Sequence, residues 1–327
     1  MSNIKNKKIL LICPSFYNYA TLIYNELKEQ GAHVVYYDER PKNSFLYKVS
    51  HRLNLSLFFK LTNEKYYSDI TNTQLNFTDI LIINPEVITP LILTKMKERF
   101  KDAKFTLYMW DSIKNKKKSE YIFNFFDKVY SFDKLDSIKY QKINFEPLFY
   151  GKNFIIEKSR KINEKYTISF IGSIHSDRLD LIHEIKSLKK TYIFLFSPSI
   201  VFSYLKLLTS RKSKLKDIKL ISHKKIPITE ISNIFRESKA IIDIHHPNQN
   251  GLTMRTFEAL ASGKKLITTN KNITEYNFYH KNNIYILERN NIELKNLDEF
   301  INSEFNEQCN ANIKSQRIDN WLSRILE

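Results

Sequence analysis

Short apolar runs alternate with longer amphipathic stretches along the whole chain. The apolar runs are rich in β-branched and aromatic residues, as buried strands are, whereas the amphipathic stretches have helical spacing. This alternation is typical of βα units on a parallel sheet, and it restarts near the middle of the chain. The predicted strands cover residues 8–13, 33–37, 79–84, 105–110, 128–132, 145–149, 167–171, 192–196, 240–244, 265–269 and 284–287.

Helices are predicted in the polar stretches that separate these strands. One begins at Pro85 and extends to Phe100, because proline suits the first turn of a helix. Gly263 is expected to cap the helix that ends beside it. The other predicted helices cover residues 19–30, 178–189, 229–238, 253–262 and 297–326.

Two series of βα units predict an α/β protein with two Rossmann-like domains whose parallel sheets face a central cleft. The expected domains are residues 1–155 and 156–310, with residues 311–327 forming a helix that returns to the first domain. Open parallel sheets bind ligands at the carboxyl ends of their strands. Candidate functional residues are therefore those that directly follow a predicted strand.

The chain has 327 residues and a formal net charge of +17, so its surface attracts anions. Nucleic acid, anionic lipid and phosphorylated small molecules all fit that charge. The basic residues are spread over many elements, and the aromatic residues form no RNA-binding pattern, which argues against a specific nucleic-acid partner. A non-catalytic basic binding protein remains an alternative.

The cysteines and the apolar runs indicate a cytoplasmic location. Only Cys13 and Cys309 are present, far apart, so neither a disulfide framework nor a zinc site is expected. The apolar run after the first lysines is too short for a signal peptide, and no stretch reaches the roughly 18 apolar residues of a membrane span. Residues 42–67 are basic and aromatic, and they predict either an amphipathic helix at the inner face of the plasma membrane or a helix packed on the sheet.

The stretch 240–270 contains the most informative chemistry, predicted as strand, polar loop, helix and strand. Gly251 ends the loop, where a flexible backbone can approach a ligand closely. The helix begins near Thr253, so its free N–H groups and positive dipole end form a site for a diphosphate. Arg255 adds a charge-assisted contact, and Glu258, one turn later, can accept two hydroxyls such as those of a ribose.

Residues 250–263, with the strand that follows, resemble the donor-binding motif of GT-B-fold glycosyltransferases. The resemblance is closest to the group that includes CgeB-like proteins and bacterial capsule and lipopolysaccharide transferases. It implies that Glu258 binds the donor ribose. It also implies that the phosphates are surrounded by Gly251, Leu252, Thr253 and Arg255. The alternative is a purely structural role, in which this is an ordinary surface helix of an α/β protein and Glu258 is solvated.

The resemblance also implies the activity. The expected enzyme moves a sugar from a nucleotide-sugar donor, with UDP as the guessed carrier, to a saccharide or lipid-linked acceptor in bacterial surface polysaccharide synthesis. Such enzymes use no cofactor and as a rule no metal, since helix ends and basic side chains stabilise the leaving diphosphate. Asn250 stands where retaining members often have a second Glu, so the stereochemical outcome stays open. A nucleotide-sugar epimerase of the same fold is the alternative function.

A second phosphate site is predicted after the first strand of the second series. Gly172 and Ser173 form a short turn there, and Arg178 would neutralise the leaving diphosphate. His245 ends another strand, where it would contact the donor or serve as a structural histidine.

The general base of an inverting transferase should be a carboxylate that follows a strand of the first domain. Asp111 is the first candidate and Asp133 the second, with Glu86 a weaker third. Either aspartate is alternatively a helix N-cap. No set of His, Asp and Glu has metal-ligand spacing.

Overall fold

The computed structural model describes residues 4–15, 18–41, 59–155, 163–186 and 190–327. The chain divides into two compact units, one formed by Met1–Pro147 with Asp319–Glu327, the other by Leu148–Ile318. The chain thus leaves the first unit after residue 147 and contributes its last nine residues to it, whereas the sequence analysis placed these boundaries after residues 155 and 310.

The first unit contains a six-stranded parallel sheet in the order β2-β1-β3-β4-β5-β6. Its central strands are buried because helices cover them, which explains their unbroken apolar sequences. The strands are β1 Lys8–Ile12, β2 His33–Tyr37, β3 Asp79–Ile83, β4 Lys104–Met109, β5 Lys128–Ser131 and β6 Ile143–Phe145. The helices are α1 Tyr19–Glu29, α2 Lys60–Thr71, α3 Pro90–Arg99 and α4 Lys134–Lys139.

Two predictions in this unit need correction. The third helix begins at Pro90, not at Pro85, because Thr89 is its N-cap and accepts a hydrogen bond from the Ile92 N–H at 3.4 Å. The sixth strand lies at 143–145, two residues before the predicted start, where it pairs with β5. Residues 42–67, for which membrane contact and packing on the sheet were alternatives, lie largely outside the described residues. Their last part, within α2, buries Tyr67 in the core.

The second unit contains another six-stranded parallel sheet, in the order β12-β11-β10-β7-β8-β9. The strands are β7 Tyr166–Ser173, β8 Thr191–Phe196, β9 Ile221–Ser222, β10 Ser238–Asp243, β11 Lys265–Thr268 and β12 Ile284–Ile286. The helices are α5 Arg178–Ile185, α6 Ile200–Thr209, α7 Ile228–Arg236, α8 Met254–Ala261, α9 Leu294–Asn302 and α10 Glu307–Asn310. Helix α6 was not predicted.

The single helix predicted over 297–326 is interrupted. After α9 and α10 come a 3₁₀ segment at Ala311–Gln316 and a final helix, α11, at Ile318–Ile325. The ring of Trp321 on α11 is buried edge-to-face against Tyr108 of β4, with centroids 4.8 Å apart. Arg324 forms an ion pair with Glu146 at 2.7 Å. These contacts attach the end of the chain to the first unit.

No helix in the described ranges is long and apolar enough to cross a membrane.

Candidate functional site

The start of helix α8 is attached to the carboxyl end of β10 by a buried carboxylate. Asp243, the last residue of β10, accepts hydrogen bonds from the hydroxyls of Thr253 at 2.7 Å and Thr256 at 2.8 Å. Thr253 is also the N-cap, and its hydroxyl oxygen accepts from the Arg255 N–H at 3.1 Å. The first turn of α8 is therefore oriented by its cap and by Asp243, a residue that the sequence analysis did not identify.

Arg255 and Glu258 form an ion pair on the first turns of α8. The Nη1 atom of Arg255 lies 2.5 Å from Oε2 of Glu258, whose side chain is only 1% exposed. The guanidinium also stacks on the Phe235 ring, 5.2 Å from its centroid. Both predicted donor residues therefore lie side by side, and burial of Glu258 is compensated by the arginine.

The polar loop before α8 is held by side-chain amides from beyond β11. The Asn270 amide donates to the carbonyls of Asn250 at 3.0 Å and Gly251 at 3.3 Å, and the Asn272 amide donates to Asn250 at 3.2 Å. Leu252 is buried, so the loop is anchored to the unit at both its backbone and its apolar end. Neither asparagine was predicted as a site residue, although Asn270 directly follows a predicted strand.

Arg178 joins the carboxyl ends of β7 and β10. Its Nε donates to the Ile244 carbonyl at 2.7 Å, and its Nη1 donates to the Ser173 carbonyl at 3.0 Å. A Cβ at Gly172 would lie 2.8 Å from the Phe170 ring and 3.0 Å from the arginine, so the glycine makes room for this contact. The structure thus places Gly172, Ser173 and Arg178 together at the sheet edge that also holds the start of α8.

His245 belongs to a second network at the same edge. Its Nδ1 lies 2.7 Å from the Thr269 hydroxyl, and its carbonyl accepts from Arg289 at 2.6 Å. Arg289 also pairs with Asp177 at 2.5 Å. Arg289 thereby connects the loops after β7, β10, β11 and β12, although nothing in its local sequence marked it as a site residue.

His175 and His245, at this edge, are neutral at pH 7. Burial, assisted by Arg289, lowers the pKa of His245 to about 4. Burial also lowers the pKa of His175 to about 3, with Arg178 and then His246 contributing; the His175 and His246 rings lie 5.4 Å apart. The positive charge of the site therefore comes from arginines and the helix start, and His175 and His245 do not add to it.

The candidate bases lie in the first unit and differ in environment. The Asp111 side chain is 38% exposed, and its carboxylate lies 3.9 Å from Lys116. Asp133 is buried and is the N-cap of α4, accepting from the Leu135 N–H at 3.1 Å. It also accepts from the Ser112 hydroxyl. The exposed Asp111 is thus the one of these two that can meet a substrate without rearrangement.

Glu86, the third candidate, lies between Arg40 and Lys116, which bind its two carboxylate oxygens. Burial disfavours the carboxylate, but the attraction of Lys116 and Arg40 prevails and lowers the pKa of Glu86. A carboxylate held in this way is a weak proton acceptor at neutral pH.

Among the described residues, no group of three or more His, Cys, Asp and Glu side chains is placed to hold a metal ion.

Comparison with known proteins gives a result only at the level of structure. No protein-family profile and no curated protein sequence matches the chain. A glycosyltransferase from Rickettsia africae ESF-5 superposes with a TM-score of 0.59 at 14% identity, covering 98% of this chain and 96% of that one. The Anabaena protein HepE, in complex with UDP and glucose, gives 0.55 at 10% identity, covering 97% and 95%.

An α,α-trehalose 6-phosphate synthase from Burkholderia multivorans superposes with a TM-score of 0.63 at 9% identity, covering 98% of this chain and 96% of that one. These similar structures are GT-B glycosyltransferases. The chain therefore has the GT-B fold, and the predicted fold class is confirmed. The predicted likeness to the CgeB-like subgroup stays a prediction, because similarity at such low sequence identity shows only a shared fold.

Proposed function

We propose that this protein is a glycosyltransferase that takes a sugar from a nucleotide-sugar donor bound by the second unit. The observation that carries the proposal is the start of α8, which Asp243 holds at the carboxyl end of β10 with Arg255 and Glu258 on its first turns. The positive dipole end of a helix suits a diphosphate. A similar structure, HepE, binds UDP and glucose, which supports a UDP-sugar as the donor.

Each part of the donor has a matching group in this arrangement. Arg255 and the first turn of α8 would contact the diphosphate, and Arg178 would add charge near it as the sugar departs. Glu258 would accept the ribose hydroxyls while remaining paired with Arg255. His245, neutral at pH 7, would act as a hydrogen-bonding group toward the donor and not as a cation.

The acceptor is proposed to be a saccharide or a lipid-linked saccharide of a bacterial surface polysaccharide. Asp111 is the proposed base that takes the proton from the acceptor hydroxyl, since it is the most exposed of the three candidate carboxylates. Reaction without a bound metal is part of the proposal, because the helix start and the arginines supply the positive charge.

Nucleotide-dependent thermal stabilisation tests the donor site. Wild type would be heated with UDP, GDP, CMP and ADP, and a ligand at 100 times its Kd should stabilise the native state by about 2.7 kcal/mol. We expect UDP to give the shift and Glu258→Gln to weaken binding about tenfold or more, since the ribose loses a charged acceptor. Glu184→Gln, which removes a carboxylate paired with Lys212 elsewhere on the unit, is the matched control.

No stabilisation by any nucleotide, or equal stabilisation of both variants, would rule out this donor site. Turnover then separates the activities: Asp111→Asn should retain nucleotide binding and lose transfer by a factor on the order of 10² to 10⁴. Conversion of the donor sugar in the absence of any acceptor would indicate an epimerase in place of a transferase.

A further inference from the structure

Helix α6 is apolar on its outer face as well as on its buried face. Ser203 and Leu207 face the core of the second unit and are buried, and the Ser203 hydroxyl bonds to the Ser199 carbonyl at 3.0 Å. The exposed large apolar side chains of the helix are Ile200 at 55%, Val201 at 64%, Tyr204 at 45%, Leu205 at 56% and Leu208 at 66%.

An ordinary surface helix buries its apolar stripe and exposes polar residues, whereas α6 also exposes apolar side chains to solvent. The segment Leu215–Leu220 lies against α6 and adds two more exposed leucines, Leu215 and Leu220. Contiguous apolar side chains that remain exposed in a folded protein mark an interaction site, because leaving them in water is costly. The outer face of α6 therefore has a function other than packing.

The same region is strongly basic. Between residues 206 and 225 there is one acidic residue, Asp217, which is buried and pairs with Lys186 at 3.2 Å. The basic side chains of this stretch are Lys206, Arg211, Lys212, Lys214, Lys216, Lys219, Lys224 and Lys225, and all but the partly buried Lys206 are exposed. Apolar side chains bordered by cations favour an amphipathic, negatively charged partner.

We propose that this region, the α6 surface (residues 200–225), docks the protein on a membrane that contains anionic phospholipids. Leucine, isoleucine and valine side chains would enter the boundary between headgroups and acyl chains, and the lysines would meet the headgroup phosphates. A helix of this size, about 15 Å long, lies flat in that boundary and does not span it. The proposal rests on these residues alone and not on the proposed transferase activity.

Two other occupants fit the surface less well. A second copy of the chain would bring two basic patches together, and the net charge of +17 opposes that contact. Single-stranded nucleic acid is bound through stacked aromatic side chains, whereas Tyr204 is the only aromatic residue among the exposed side chains of α6. Anionic lipid satisfies the apolar and the basic part of the surface together.

The α6 surface differs from the basic stretch 42–67 that the sequence analysis considered for membrane contact. It also has a defined place in the fold. Helix α6 follows β8, the strand that pairs with β7, in the same unit as the candidate donor site.

Co-sedimentation with vesicles tests the proposal. Wild type would be mixed with vesicles of phosphatidylcholine alone or with about 30% phosphatidylglycerol, because anionic lipid attracts basic segments. We expect binding to the anionic vesicles that weakens with added salt. Leu205→Ser with Leu208→Ser should reduce it on the order of tenfold or more, because two inserted leucines are lost. The matched control is Leu135→Ser with Ile138→Ser, an equally spaced pair on α4 with exposures of 52% and 71%.

Loss of binding in the α6 pair but not in the α4 pair, with both variants unfolding at the wild-type temperature, would support the proposal. Absence of wild-type binding, or equal binding by both variants, would overturn it. Sedimentation velocity without vesicles tests whether a second copy of the chain binds instead. A wild-type dimer that the α6 pair of substitutions dissociates, in a protein that does not bind vesicles, would also overturn the proposal. A binding preference for single-stranded DNA over anionic vesicles would do the same.

Discussion

Individual polar residues organise both units, and several of them are buried. Asp243 holds the start of α8 through two threonine hydroxyls, and Arg289 connects four loops at the same sheet edge. Buried polar groups are tolerated only when they are hydrogen-bonded, so each of these side chains has a definite structural partner. Because burying such residues costs free energy, they cluster where the fold must position a ligand.

In the first unit, Glu39 is likewise a buried polar residue whose carboxylate is held by hydrogen bonds. It is fully buried, and its Oε1 accepts from the backbone N–H groups of Glu86 at 2.6 Å and Val87 at 2.5 Å. Burial is the largest influence and raises its pKa to about 7 from an ordinary 4.5, against the opposing pull of those N–H groups and Arg40.

A raised carboxyl pKa predicts how stability depends on pH. The folded state binds the Glu39 proton more tightly than the unfolded state does. The stabilisation that this proton contributes is therefore complete below pH 4.5 and is lost as the pH rises through 7. Glu39→Gln mimics the protonated acid. It should match wild type near pH 4 and exceed it at pH 8 by about 1 to 3 kcal/mol.

Urea denaturation at the two pH values checks this prediction. Both tryptophans, Trp110 and Trp321, belong to the first unit, so tryptophan fluorescence reports its unfolding selectively. Parallel stability profiles for wild type and Glu39→Gln would show that the carboxyl does not titrate with a raised pKa.

At the scale of elements, helix α8 is defined at both ends by local chemistry. Thr253 caps its start, and at its end Gly263 has φ +60°, while the Lys264 N–H bonds to the Ala259 carbonyl at 3.2 Å. Such a closing motif requires a left-handed residue, which glycine adopts without strain. These short-range signals are why the helix was predicted to within one residue at each end.

Gly263→Ala should destabilise the second unit by about 1 kcal/mol. A Cβ there meets no atom within 4 Å, so the loss comes from the backbone conformation and not from a clash. Far-UV circular dichroism during urea denaturation would measure it. Gly263→Asn should lose less, because asparagine tolerates left-handed backbone; equal losses for both would contradict this explanation.

At the scale of the whole molecule, the first unit is built from two separated pieces of chain. Trp321, Leu322 and Ile325 on α11 are completely buried, although the preceding 171 residues, Leu148–Ile318, form the other unit. The first unit is therefore complete only when the last residues of the chain have packed on it.

Trp321→Ala should destabilise the first unit by about 3 to 5 kcal/mol, because a large buried ring that packs on Tyr108 is replaced by a cavity. Urea denaturation followed by circular dichroism would measure the loss. Tyr121→Ala removes another large aromatic ring of the same unit at an exposed position, and should change stability by less than about 0.5 kcal/mol. Similar losses in the two variants would mean that α11 does not contribute to this core.

The sequence by itself determined most of the elements and the class of fold, because strand periodicity, helix caps and the motif at residues 250–263 act over a few residues. The tertiary structure decided which distant side chains meet. Asp177 and Arg289 are 112 positions apart, and only the parallel order of β7, β10, β11 and β12 brings their loops to one edge. It also decided which face of α6 is buried, because an apolar helix has no polar face to mark its exposed side.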